Sequence, residues 1–139
     1  MNTPLRPLPT SDAATAPYWQ AAREHKFVLP RCGDCNKFHF YPRALCPFCA
    51  SANLAWTPAS GRGAVYSFTI VHRAPSPAFA AEAPYAVAVI ALEEGPHLMS
   101  GIVNCALDSV RIGMRVKVAF RDFAEDGEST ALPVFEPEF

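Results

Sequence analysis

The stretch RCGDCNKFHFYPRALCPFCA, residues 31–50, decides what kind of protein this chain makes. Two cysteine pairs stand in it, Cys32 with Cys35 and Cys46 with Cys49, each pair spaced by two residues and the pairs by ten. A two-residue gap lets a tight turn present both sulfurs to one ion, and ten residues suffice for an excursion that brings back the second pair. Four soft sulfur ligands favour zinc over magnesium or calcium, with iron as the main competitor. A complete thiolate shell leaves no position for water or substrate, so the expected metal is structural. The segment is too short to bury its own core, and metal binding supplies on the order of 10 kcal/mol of apparent folding energy in such a module. Between the pairs, Phe38, Phe40 and Tyr41 alternate with Lys37 and His39, which predicts a short strand. Asn36 follows the first pair and adopts a left-handed turn readily, whereas Ala50 follows the second and does so less easily. His39 is an alternative ligand, but the four cysteines already fill the shell.

On the amino-terminal side, residues 1–10 contain three prolines and predict an extended arm. Ser11 or Asp12 then offers an N-cap for a helix over Ala14 to Lys26, with Pro17 in its first turns. Tyr18, Trp19, Ala22 and His25 would form its apolar face. Such a face must dock, either on the rest of this chain or on a partner subunit. Phe27 to Arg31 leads into the cysteine segment as a strand and Leu54 to Pro58 leads out.

Beyond the turn Ser60-Gly61-Arg62-Gly63 the pattern becomes β-rich. Ala64 to Arg73 alternates, with Tyr66, Phe68, Ile70 and His72 on one face and Val65, Ser67, Thr69 and Val71 on the other. A proline-rich loop, a strand over Tyr85 to Leu92, the turn Glu93-Glu94-Gly95-Pro96 and a strand over His97 to Asn104 follow. Asp108 to Gly113 connects to a strand over Met114–Phe123, and the turn Glu125-Asp126-Gly127-Glu128 introduces a last strand from Thr130 to Phe135. Pro133 within it marks an edge or a bulge. Five strands with short connections close most economically as a small Greek-key barrel, the OB-fold, while a β-sandwich would need more strands.

Composition fits one such domain with a small appendage. The chain has 139 residues, 50% of them hydrophobic and 18% charged, with net charge −1. It contains no apolar run of the length that crosses a bilayer, and the segment MNTPLRPLPTSD lacks the apolar core of a signal peptide. The odd thiol, Cys105, lies in an apolar stretch and reads as a packed core residue. Together these features predict a cytoplasmic, reducing location. Residues 1–60 carry six Lys/Arg against three Asp/Glu, for +3, and residues 61–139 carry six against ten, for −4. The mildly basic front suits an anionic ligand but is far from the dense basic stripe of a nucleic-acid binder.

No phosphate-cradling loop, dinucleotide fingerprint, nucleophile elbow or metalloprotease motif occurs. His72, beside Arg73 at a strand end, is the best polar candidate for acid–base work, though a strand-end histidine bonded to backbone is the simpler reading. The motifs favour binding over chemistry.

Several stretches carry a resemblance: PYWQAAREHKFVLPRCGDC, YPRALCPFC, SGRGAVYSFTIVHRAP, PYAVAVIALEEGP, RIGMRVKVAF and LPVF, together running from about residue 17 to 135. In these the chain resembles the zinc-ribbon/OB-fold proteins associated with acyl-CoA enzymes, long catalogued as a domain of unknown function. It departs from that family at Asn36 and Ala50, where glycine is frequent. The resemblance implies a mainly β protein: an arm and helix over 1–26, a rubredoxin-like zinc ribbon over 27–58 and a five-stranded OB-fold over 59–139. It implies a non-catalytic accessory subunit that forms a hetero-oligomer with a thiolase-like or lipid-transfer/aldolase-like enzyme and helps bind or channel a CoA thioester. Some family members are fused to hotdog-fold hydratases. Carried onto this sequence, the CoA-facing positions are the amino-terminal helix, the ribbon aromatics Phe40 and Tyr41, and Tyr66, Phe68, His72 and Arg73. A single-stranded nucleic-acid binder is the alternative, weakened by the overall negative charge and only three lysines. A free-standing thioester enzyme using His72 is the third reading.

Overall fold

A computed structural model of the chain describes residues 8–125 and 128–138. Helix α1 (Ala16–Arg23) is followed by strands β1 (Val28–Cys32) and β2 (Leu54–Pro58), which pair antiparallel on either side of the cysteine segment. Five more strands follow: β3 (Arg62–Val71), β4 (Tyr85–Leu92), β5 (His97–Ile102), β6 (Arg115–Glu125) and β7 (Glu128–Pro137). They close as a barrel in the order β3-β4-β5-β7-β6, with β5 and β7 parallel and the other neighbours antiparallel. This is the five-stranded OB-fold. Residues 1–7, most of the expected arm, and the centre of the expected turn at Asp126-Gly127 lie outside the described residues.

The helix is shorter than the periodicity suggests, and its ends show why. Thr15, not Ser11 or Asp12, is the N-cap. Asp12 instead closes the preceding turn: its carboxylate accepts the Thr15 backbone N–H and hydroxyl, both at 2.9 Å, and its carbonyl accepts the Ala16 N–H. At the other end His25 takes a left-handed φ of 59°, while the N–H groups of His25 and Lys26 return to the carbonyls of Ala22 and Ala21. That Schellman arrangement stops the helix before Lys26. The His25 ring leaves the apolar face altogether. It stacks on Phe120 and meets Asp122 at 2.8 Å, tying the helix end to β6.

Tyr18 and Ala22 are buried against this same chain, so the helix docks at home. Tyr18 sits among Trp19, Phe27, Phe40 and Trp56, with ring centroids 5.0–6.4 Å away. Phe27 in turn meets Phe135 of β7 edge-on at 6.3 Å. One aromatic cluster therefore joins helix, ribbon and barrel into a continuous core with Leu29, Val65, Ile90, Val116 and Phe135.

Two local irregularities change the expected faces. A bulge between Val65 and Ser67 adds a residue to β3, so Val65 and Phe68 both point to the core while Tyr66 is 59% exposed. Tyr66 and Phe68 thus do not share the face that simple alternation predicts. The segment between the cysteine pairs forms no strand either: only Phe38 bridges to Arg31, and Phe40 and Tyr41 turn toward the helix and barrel instead. Pro133 lies where β7 has lost its other neighbour. β7 pairs with β6 along its length, but with β5 only at Ile102 and Phe135. The barrel is splayed along that seam, and Ser100 donates across it to the Pro133 carbonyl at 2.8 Å.

Candidate metal centre and ligand clefts

The two loops that carry the cysteines are built alike. After the first pair, the Asn36 N–H donates to the Cys32 carbonyl, and after the second the Ala50 N–H donates to the Cys46 carbonyl, both at 2.9 Å. Asn36 and Ala50 both adopt left-handed backbone, with φ of 64° and 62°. Ala50 does so despite its Cβ, at a cost of roughly 1–2 kcal/mol. Backbone N–H groups point at the sulfurs: Asp34 and Cys35 donate to Cys32 Sγ and Phe48 to Cys46 Sγ, all at 3.4 Å. The loops are laced together by Gly33 N–H to the Asn53 carbonyl and the Ser51 hydroxyl to Asp34, while Cys46 N–H to the Ser51 carbonyl closes the second loop.

The result brings four sulfurs from distant positions to one point. Cys32 and Cys49 Sγ stand 3.5 Å apart, Cys35 and Cys46 Sγ 3.6 Å apart, and all four lie within 4.8 Å of one another. Tetrahedral zinc, with Zn–S near 2.3 Å, requires sulfurs about 3.8 Å apart, so the donor set fits that ion. None of the four is in a disulfide. Hydrogen bonds from the Cys35 and Asp34 N–H groups lower the Cys32 thiol to about 6. His39 is not part of the cluster. The centre is a closed four-cysteine site, hence structural.

Two clefts flank the ribbon. The first, about 500 Å³, lies over the splayed seam between α1, the 75–84 loop and strands β5 and β7. Its wall is mostly apolar, including Trp19, Phe40, Tyr85, Met99, Ile102 and Val134. Tyr41 and Met99 are more than half exposed there, and the Tyr41 hydroxyl accepts the Met99 N–H at 3.3 Å. An ion pair between Arg121 and Glu82 closes part of the rim. The second cleft, about 660 Å³, separates the ribbon from the β4–β5 turn and is lined by Lys37, His39, Arg43, Phe48, Glu94 and His97 among others. Phe40 belongs to both walls.

Of the residues the resemblance points to, Phe40 and Tyr41 stand in these walls. Tyr66 packs against His97 at 4.6 Å, at the side of the second cleft. Phe68 packs on the barrel core, and His72 and Arg73 are exposed past the end of β3 and line neither cleft. The seam cleft itself escaped the sequence reading. Pro133 was its only trace, because the missing β5–β7 rungs are a tertiary property.

Residues 19–55 match the family described as the ChsH2 rubredoxin-like zinc ribbon domain, and residues 56–121 match the ChsH2 C-terminal OB-fold domain. A DUF35 domain-containing scaffold protein of Methanocaldococcus jannaschii is 38% identical over 79% of this chain and 79% of its own length. A probable enoyl-CoA hydratase alpha subunit of Thermomonospora curvata is also 38% identical over 96% of this chain, which spans only 40% of that protein. Similarly, the 3-oxo-4,17-pregnadiene-20-carboxyl-CoA hydratase alpha subunit of Mycobacterium tuberculosis is 30% identical, with 37% of its length covered. Among solved structures, a chain of the Ltp2-ChsH2(DUF35) aldolase superimposes with a TM-score of 0.81 at 35% identity, covering 94% of this chain and 98% of that one. With its four-cysteine ribbon followed by a five-stranded OB barrel, the chain belongs to the ChsH2/DUF35 family of zinc-ribbon/OB-fold proteins.

Proposed function

We propose that the chain is a non-catalytic accessory subunit that binds an acyl-CoA and docks on a thiolase-like enzyme, which supplies the reacting groups. The observation that carries this reading is the near end-to-end likeness to a chain of the Ltp2-ChsH2(DUF35) aldolase. Scaffold proteins and CoA-hydratase subunits among the relatives point the same way. The chain's own chemistry agrees. Its metal site is closed, and its histidines are dispersed: His25 is paired with Asp122, His97 lies against Tyr66, His39 is buried and His72 is exposed.

The seam cleft supports the ligand half of the proposal. It is concave, mostly apolar and of the volume that small-molecule sites usually have. An apolar acyl group lies against Trp19, Phe40 and Ile102, and the thioester end faces outward to the partner past Tyr41 and Met99. The mouth is where the partner enzyme docks, since two large side chains are exposed side by side there.

The test is binding and turnover measured together. The zinc-loaded chain titrated with a long-chain acyl-CoA should bind it and leave it unhydrolysed, and Met99→Lys should weaken binding without unfolding the protein. Unaided turnover of the thioester, lost in His72→Ala, would overturn the assignment in favour of an enzyme.

A further inference from the structure

The second cleft has a different character from the first, and its residues ask for a ligand. We propose that the cleft between the ribbon and the β4–β5 turn is an anion site that receives the phosphate groups at the nucleotide end of coenzyme A. This rests on the acyl-CoA reading above and adds a place for the part of the molecule that the apolar cleft cannot hold.

Four observations carry it. Lys37, His39, Arg43 and His97 line the cleft, and Glu94 is the one carboxylate among the lining residues. Glu94 is already engaged, accepting the Ser60 N–H at 2.8 Å. Among the described residues, neither Lys37 nor Arg43 has an ion-pair partner; Lys37 Nζ instead sits 4.8 Å over the Phe48 ring. With Lys37 and Arg43 against Glu94, the cleft keeps a net positive charge in a recess, where low-dielectric walls strengthen its pull on an anion.

His39 is the second observation. Its side chain is 3% exposed, and neither ring nitrogen has a hydrogen-bond partner. A neutral imidazole carries one N–H donor in either tautomer, and leaving it unpaired in the interior costs about 1–3 kcal/mol. An acceptor oxygen reaching the floor of the cleft removes that penalty. Third, the rim offers ring faces to a base. Phe48 is 57% exposed, and Tyr66, 59% exposed, lies against His97. Base–aromatic stacking is indifferent to base identity and sits naturally beside a phosphate site.

Finally, the two clefts are arranged as such a ligand is. Both are walled by Phe40, and β5 runs from His97 in the anion-binding cleft to Ile102 in the apolar one. Six residues of strand span about 17–20 Å. Coenzyme A is anionic at one end and carries its thioester at the other, joined by an extended arm, and this surface repeats that order. A carboxylate of a partner protein would also answer to the cations, but it makes no use of the exposed rings.

Calorimetric titration of the zinc-loaded full chain with adenosine 3′,5′-bisphosphate, CoA, dephospho-CoA and inorganic phosphate tests the site. The bisphosphate and CoA should both bind. The variant Lys37→Ala/Arg43→Ala, altered only at exposed positions, should lose about tenfold or more in affinity for each while keeping its zinc. His39→Phe should lose affinity in the same direction. If the double variant binds CoA as tightly as the wild type, the phosphates lie elsewhere and this inference fails while the acyl-CoA reading stands. If inorganic phosphate binds with no gain from the adenosine, the cleft holds an adventitious ion only and the inference fails. If no CoA compound binds the wild type, the acyl-CoA reading itself fails.

Discussion

Ala50 is the residue whose energetics are easiest to isolate. It holds a left-handed φ of 62° because the Cys46–Cys49 loop must turn back on itself, and it has no side-chain partner to offset the strain. Ala50→Gly should therefore stabilise the zinc-bound protein by about 1 kcal/mol, read as a shift in its chemical denaturation midpoint. No change would mean that the loop relaxes away from that geometry. At the metal, Cys46→Ser removes a buried ligand and should abolish stoichiometric zinc in elemental analysis. The wild type should carry about one zinc per chain. Zinc must displace protons from thiols, so its affinity should rise with pH, as measured by competition with a chelator at two pH values. A pH-independent affinity would contradict a thiolate shell. These residues were legible in the sequence because ligand spacing is a local constraint. The same is true of Asn36, whose left-handed turn followed from its type. His25 was not legible: its place at the end of a Schellman turn and its contact with Asp122 depend on β6, which is almost a hundred residues further along.

Strands β4 and β2 fall where the sequence puts them, β4 as a short apolar run ending at a turn and β2 as the exit from the cysteine segment. The β3 bulge was not readable in that way. An extra residue leaves the composition unchanged and shifts only the phase, so it separated Tyr66 from Phe68 without any mark in the alternation. The short ribbon strand failed for a similar reason. Phe40 and Tyr41 alternate as a strand would, but the aromatic cluster around Tyr18 and the hydroxyl contact to Met99 determine where they go. Barrel closure depends on close approach at Gly61, which is buried with a φ of 74°; a Cβ there would collide with Val118, while its carbonyl accepts the Val118 N–H. Gly61→Ala should accordingly destabilise the barrel by more than about 1 kcal/mol in denaturant titration, the penalty for a side chain at positive φ plus overpacking. Phe135→Ala, which removes the ring joining barrel to ribbon, should cost about 3–5 kcal/mol. Losses confined to the barrel after Phe135→Ala would show that the two units do not share a core.

Taken as one object, the chain is a metal-pinned finger and a helix cemented to one side of a small barrel by aromatic rings. The docking leaves two unlike clefts, one apolar and one cationic, on either side of Phe40. The order of helix, ribbon and barrel was visible in the sequence, as was the absence of a catalytic motif. The clefts were not, because each is lined by residues from separate stretches of chain that only the folded protein brings together. A nucleic-acid role would need a charge distribution this chain lacks, with net charge −1 and only three lysines. The proposed role is that of a subunit that holds a thioester for another protein. The direct measurement is light scattering on size-exclusion of the zinc-loaded chain mixed with the thiolase-fold enzymes of its own organism, with and without acyl-CoA. A stable complex with one of them, tightened by acyl-CoA and weakened by Cys46→Ser, is the predicted result. Separate elution of the zinc-loaded chain from all of them, under conditions where it binds acyl-CoA and turns it over alone, would contradict the account.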